Sequence, residues 1–257
     1  MTEEFLRLRG PYDTIFLDVG ETLVHLDPPF ITTVKRVANQ FNVTRVPDNF
    51  EHRVHDIWDK NIRSAESVGH SLTTISSHQY WHRQYARIGQ LLDVRDQEAF
   101  GHALYECFSS FDAYTPMPGS VDTLRALNRL GLRVVAASNW EGWLGQLLTQ
   151  LGLDRFFAVQ VVSADIGFEK PDPKFFDCAL MLSATDRHRV VHVGDSLGAD
   201  VEGAVNSGID AIWVSTSDTL DFQGTKISSI AELPDLIRPF VASVPWALPT
   251  EQEATWI

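Results

Sequence analysis

The stretch TIFLDVGETL, residues 14–23, decides how the rest of the chain is read. Its first four residues, Thr14 to Leu17, are mostly apolar and lead straight into Asp18. A continuous apolar run of this length suits a strand covered on both faces, as in a parallel sheet. An unpaired aspartate at the end of such a strand is costly, so its charge must be matched by partners brought from elsewhere. Gly20, Glu21 and Thr22 follow at once, where the chain leaves the strand.

Outward from this stretch, similar runs recur as LRVVAASN (132–139), FFAVQVVSAD (156–165), RVVHVGDS (189–196) and DAIWVS (210–215). Segments of helical period separate them: one at about 119–130, then WLGQLLTQLG (143–152), KFFDCALMLS (174–183) and ADVEGAVNSG (199–208). Apolar strands alternating with helices predict an α/β fold, a Rossmann-like parallel sheet with helices on both faces. Residues 26–114 break the rhythm. VKRVANQF, NFEHRVHDIWDKNIR, SSHQYWHRQYARIGQLL and EAFGHALYECFSSF all read as amphipathic helices, with no convincing strand among them. The expected organisation is a sheet-based core, 1–25 and 115–257, with an all-helical cap, 26–114, hinged at the proline-rich LDPPF and YTPMPG. The tail from 242 has no clear period, and its Trp246 and Trp256 suit either docking or fraying.

The 257 residues suffice for a sizeable core, and 44% apolar with 21% charged residues is ordinary for a globular protein. A formal net charge of −13 argues against nucleic acid and anionic membranes as partners. It leaves room for a small anionic substrate, since a few local donors override the global field inside a pocket. No apolar run reaches the roughly 20 residues of a membrane span, and MTEEFLRLRG has no secretory apolar segment. Cys107 and Cys178 are the only cysteines and stand in no metal or redox spacing, so both read as packing thiols in a reducing, cytoplasmic compartment. A monomer and a homodimer are both compatible with these features.

In an open parallel sheet, ligands bind beyond the carboxyl ends of the strands. Asp18 ends the first strand, Ser138 and Asn139 the second, and Gly194-Asp195-Ser196 the fourth, with Asp200 shortly after. Lys170 stands in FEKPDP, after the third strand. Asp18 and Asp195 together suit a hard, oxygen-seeking cation, for which Mg²⁺ is the natural choice. Lys170 and the Ser138 hydroxyl add a positive charge and a donor. Such a set can hold a phosphoryl group while one carboxylate attacks phosphorus. Simpler roles exist for single residues: Asp200 as a helix N-terminal carboxylate, Ser138 and Asn139 as helix caps, Lys170 as a loop charge.

Taken in order, DVGET (18–22), SN (138–139), Lys170 in KPDP and GDSLGAD (194–200) resemble the haloacid dehalogenase superfamily, in the subgroup with a helical cap inserted after the first motif. The resemblance covers almost the whole chain. It implies that Asp18 is the nucleophile and that Ser138, Asn139 and Lys170 bind phosphate. It further implies that Asp18, the Gly20 carbonyl, Asp195 and Asp200 serve Mg²⁺ and that the cap closes over the site; it does not carry over a substrate, for which a small phosphorylated metabolite is the expectation.

The same resemblance makes Gly20 notable, because phosphatases of this superfamily usually carry there a second aspartate that protonates the leaving oxygen and then activates water. A glycine keeps a carbonyl for the metal but has no proton to give. Side-chain alternation points Glu21 away from Asp18, unless the turn re-aims it. His25 is another possible donor but also suits a plain hinge residue. The expected consequence is slow turnover of alkyl phosphates, faster turnover of esters with good leaving groups, and a gain on alkyl phosphates for Gly20→Asp.

Alternatives remain. A 2-haloacid dehalogenase also lacks the second aspartate, although it needs no metal and the acidic GDSLGAD speaks against it. A phosphonate hydrolase needs a Schiff-base lysine, for which Lys35 and Lys60 are the cap's candidates. A site that only binds a phosphorylated ligand is the third. In the cap, His78 and His82 share a helix face without the glutamate of a zinc-protease pattern, and read as surface or cleft residues. Trp58, Tyr80, Trp81 and Tyr85 read as cap core, some of them facing the cleft.

Overall fold

The computed structural model describes residues 8–54, 69–217 and 222–243. Trp58, Lys60, Trp246 and Trp256, singled out above, lie outside them. Six parallel strands form one sheet in the order β5-β4-β1-β6-β7-β8. They are β1 (Thr14–Leu17), β4 (Arg133–Ser138), β5 (Val159–Val162), β6 (Val190–Gly194), β7 (Asp210–Val214) and β8 (Thr225–Ile227). The four strands predicted around β1 form, trimmed at their ends, and β8 is an addition at one edge.

Alternation along the strands accounts for both faces. Ile15 and Leu17 of β1 point with Val134, Ala136, Val191 and Val193 into one apolar cluster. Helices α4 (Ser120–Arg129), α5 (Leu144–Gln150) and α8 (Leu233–Ile237) cover it. Phe16 points the other way with Val135, Ala137 and Val161. On that side lie α6 (Pro173–Ser183) and α7 (Gly203–Asn206), the second entered through a π-helical turn at Leu197–Glu202. Burial on both faces is why these strands read as continuous apolar runs. From β1 the chain steps to β4 and β5 on one side, then returns to β6 and β7 on the other. The crevice where that direction reverses lies at the carboxyl end of β1, where α/β sheets bind ligands.

The described part of the intervening segment is helical: α1 (Phe30–Gln40), a helical stretch at 50–54, α2 (Thr74–Leu91) and α3 (Gln97–Phe108). Thr73 and Ser76 close a capping box at the start of α2. Val34, Phe50, Tyr85, Ile88, Phe100 and Leu104 meet in a third apolar cluster, separate from the two beside the sheet. The proline-rich edges hold strands that the sequence pattern did not reveal. β2 (Val24–Leu26) and β3 (Tyr114–Pro116) pair antiparallel, so the outgoing and returning chains form a two-stranded ribbon. Three residues apiece are too few for a period to register.

Candidate active site

The residues singled out at the strand ends converge. The Ser138 hydroxyl donates to Asp18 Oδ1 at 2.9 Å, and Lys170 Nζ donates to the same oxygen at 2.8 Å. Lys170 Nζ also donates to Asp200 Oδ1 at 2.6 Å. Both donors thus load one oxygen of Asp18, and no described residue donates to Oδ2. Lys170 is held by its own backbone. Its N–H donates to Asn139 Oδ1 at 2.7 Å, and Asn139 Nδ2 donates to its carbonyl at 2.8 Å. The Asn139 side chain therefore clamps the lysine loop to the end of β4.

Asp200 is engaged on every side. Oδ1 takes Lys170 and, at 2.9 Å, His192 Nε2, while Oδ2 accepts the Ser196 N–H at 2.9 Å. It reaches this place because Gly194 has no side chain: a Cβ there would lie 2.2 Å from Asp200 Cγ. Asp200 is thus a brace for Lys170 more than an open ligand. Asp195 is freer. Its nearest side-chain donor is the Thr22 hydroxyl at 3.4 Å, while Trp213 Nε1 fixes its carbonyl at 2.8 Å.

Carboxylate oxygens of Asp18, Asp195 and Asp200 all lie within 4.8 Å of one another. Burial, followed by the charges of Asp18 and Asp200, pushes Asp195 up to about 8 against the pull of Lys170. Burial also raises Asp18, with Asp200 adding to it while Lys170 and Ser138 oppose. Burial works against ionisation of Asp200 too, but Lys170 and His192 prevail and hold it well below the carboxylate range. Burial likewise opposes the charge on Lys170, yet its two carboxylate partners hold it above the ordinary lysine range. One lysine does not neutralise three carboxylates. An oxygen-only donor set with surplus negative charge fits a hard divalent cation such as Mg²⁺.

Beside this rim lies a cavity of about 380 Å³ between the sheet and the helical layer. Gly20, Glu21 and Asn139 form its floor, and the rings of Trp81, Tyr85, Tyr105, Tyr114, Trp140 and Trp143 dominate its walls. Two glutamates from the core tie the helical layer to this wall. Glu141 accepts from Ser77 Oγ (2.7 Å), the Tyr105 hydroxyl (2.8 Å) and Trp143 Nε1 (2.7 Å). Glu169, next to Lys170, accepts the Ser71 N–H at 2.9 Å, the Ser71 hydroxyl at 2.6 Å and the Gly69 N–H.

The model of the haloacid dehalogenase-like hydrolase family matches residues 12–208. The chain belongs to this family. The chain is 29% identical to the pyrimidine 5'-nucleotidase YjjG of Escherichia coli over 235 residues, 88% of this chain and 98% of that protein. A glyceraldehyde 3-phosphate phosphatase of Methanothermobacter thermautotrophicus is 35% identical over 115 residues, 42% of this chain and 49% of that protein. Among solved structures, the HAD-hydrolase YfnB of Bacillus subtilis, bound to magnesium, superposes with a TM-score of 0.70 at 18% identity. That match covers 88% of this chain and 98% of YfnB, and it speaks to the fold.

Within this haloacid dehalogenase-like hydrolase several sequence expectations change. Glu21 does not point away from the site. Its backbone is left-handed (φ 52°), which breaks the alternation, and the residue lines the cavity. Burial raises its pKa, opposed by His25 and aided by Asp18. His25 sits in the hinge ribbon, opposite Thr115, and its Nδ1 lies 3.2 Å from the Leu26 carbonyl. Lys35 pairs with Glu51 at the surface, away from the cavity walls. The His78 and His82 rings stack, 6.1 Å between centroids, but neither lines the cavity. Trp81 and Tyr85 do line it, whereas Tyr80 packs against His70 and Trp81. Trp140, Glu141, Glu169 and His192 were not foreseen. His192 alone had a signal: it is the one polar side chain within its own run VVHVG, in register with Phe16.

Proposed function

We propose that the chain is a Mg²⁺-dependent phosphatase that forms an aspartyl-phosphate on Asp18, and that its substrate carries a flat ring system, as a nucleoside monophosphate does. The observation that carries this reading is the Asp18 carboxylate. One of its oxygens accepts from both Ser138 and Lys170, no described residue donates to the other, and Gly20, two residues on, lines an aromatic cavity. Asp18 and Asp195, with the Gly20 carbonyl, would hold the cation, and Asp200 would brace the site through Lys170. The ion supplies neutralisation of the charge crowded on the transferring phosphoryl group.

Asp18 Oδ2 attacks phosphorus, an O–P bond forms, and the ester P–O bond breaks in line with it, the leaving oxygen departing as an oxyanion that takes its proton from water. Lys170 and Ser138 keep the attacking carboxylate oriented. Water then attacks the acyl phosphate, frees inorganic phosphate and restores the carboxylate. Residues 26–114 would act as the lid, a reading that the bonds from Ser71, Ser77 and Tyr105 to Glu169 and Glu141 support.

The cavity volume lies in the range of small-ligand sites. Its rings offer stacking faces worth about 1–3 kcal/mol per base. The similarity to the pyrimidine 5'-nucleotidase supports this reading because it runs through the helical segment as well as the core. The test is hydrolysis of uridine, cytidine and thymidine 5′-monophosphates against glyceraldehyde 3-phosphate and hexose phosphates, with Mg²⁺ and with EDTA. Expected are Mg²⁺-dependent phosphate release favouring the nucleotides, and none from Asp18→Asn. Activity retained by Asp18→Asn removes the covalent route, and a preference for the triose phosphate removes the ring-binding assignment.

A further inference from the structure

Gly20 is not required by backbone conformation, because its φ lies outside the left-handed region that favours glycine. Space is what the position lacks. A Cβ on Gly20 would sit 3.0 Å from Cζ3 of Trp140, 3.8 Å from Cε3 and 4.0 Å from Cη2. The indole cannot retreat cheaply. Trp143 stands against it edge to face and Tyr114 at a tilt, each with 5.3 Å between centroids. Its backbone is pinned as well. The Trp140 N–H donates to Ser163 Oγ at 3.0 Å, and that hydroxyl donates to the Trp140 carbonyl at 3.1 Å.

We infer that Gly20 and Trp140 are a matched pair: the indole fills the volume that a side chain at position 20 would need, and so fixes which esters the site can cleave. Trp140 lines the aromatic cavity together with Gly20, two residues from Asp18. With the tryptophan there, no protein carboxylate can extend from position 20 to the leaving oxygen. The site is then confined to esters whose leaving oxygen departs with little protonation. This changes the sequence-based expectation for Gly20→Asp, because the added carboxylate meets the indole before it meets the substrate.

The catalytic half of the inference rests on the phosphatase reading, while the packing half does not. Both are tested in one set: wild type, Gly20→Ala, Gly20→Asp, Trp140→Leu, and the Trp140→Leu variant carrying each position-20 change. Thermal midpoints read the packing. Where a Cβ fits, Gly→Ala stabilises by limiting the unfolded chain; where it collides, it destabilises. Gly20→Ala should therefore lower the midpoint in the wild-type background and raise it, or leave it unchanged, in the Trp140→Leu background. The same sign of change in both backgrounds, with similar size, overturns the pair.

For catalysis, kcat/KM on an alkyl phosphate is divided by that on p-nitrophenyl phosphate. Gly20→Asp alone should show no gain in this ratio, while Trp140→Leu/Gly20→Asp should exceed both single variants by about tenfold or more, short of the roughly 10²–10⁴-fold that a fully positioned acid/base group supplies. An equal gain from Gly20→Asp alone overturns the specificity role. If wild type hydrolyses no ester with Mg²⁺, the phosphatase reading falls, and the midpoints still decide the pair.

Discussion

Replacing Lys170 by methionine isolates the electrostatics of the site from its catalysis. The lysine side chain is 2% exposed and lies between Asp18, 10% exposed, and Asp200, 2% exposed. Methionine keeps most of the volume and removes the charge. The stranded carboxylates then have two courses. Remaining ionised costs what breaking a buried ion pair costs, about 3–5 kcal/mol. Taking up a proton at pH 7, against an ordinary carboxylate pKa near 4, costs about 4 kcal/mol. The second course caps the first, and both give a loss of about 4 kcal/mol. For a chain of this size that lowers the midpoint by about 8–16 °C. At pH 5 the proton route costs only about 1–1.5 kcal/mol, so the deficit shrinks accordingly. The signs of the two pH profiles differ for a stated reason. In the wild type, Asp200 is held below its unfolded value, so its contribution is present above about pH 4 and is lost as pH falls through the folded pKa. In the variant the stranded carboxylates are raised, so their contribution is present at low pH and lost as pH rises. Thermal and urea unfolding in EDTA at pH 5, 6, 7 and 8 measures both. A variant curve parallel to the wild type, or a drop under about 2 °C at pH 7, would refute the claim that Lys170 neutralises this cluster.

Other outcomes follow from the same geometry. Asp195 stands at about 8 without a cation, so Mg²⁺ must displace a proton below that pH, and the Mg²⁺-induced rise in midpoint should be larger at pH 8 than at pH 6. Calorimetry in buffers of differing ionisation enthalpy should show proton release at pH 7 that Asp195→Asn abolishes; release of no proton by wild type counts against Asp195 as a ligand. In the metal-free protein its raised pKa also makes this residue's own contribution to stability fall between about pH 4 and 8, a slope that Asp195→Asn removes. Glu169→Gln turns an acceptor of three donors into a group with one acceptor oxygen, at a cost of about 1–3 kcal/mol. Amide exchange at residues 69–77 should quicken while the sheet stays protected, and unchanged exchange there would mean that Glu169 does not hold the helical layer down.

What the sequence disclosed and what it hid divide by range of interaction. Asp18, Ser138, Lys170 and Asp195 were legible because a parallel sheet delivers every strand end to one rim, so position along a strand already implies position in space. Three-residue strands such as β2, β3 and β8 carry too few residues for a period, and only their pairing defines them. Glu21 escaped because one left-handed residue reverses the alternation on which its direction was argued. Glu169 and Glu141 escaped for another reason: their partners in the helical layer lie 98–100 and 36–64 residues away in sequence, where no local pattern reaches. Gly20 belongs with these. In one dimension it is a missing aspartate, and substitution looks like a repair. In three dimensions it faces an indole supplied from just beyond β4, wedged by Tyr114 and Trp143 and pinned through Ser163. Residue 20 and residue 140 therefore have to change together, and the single substitution tests the wrong half of the pair.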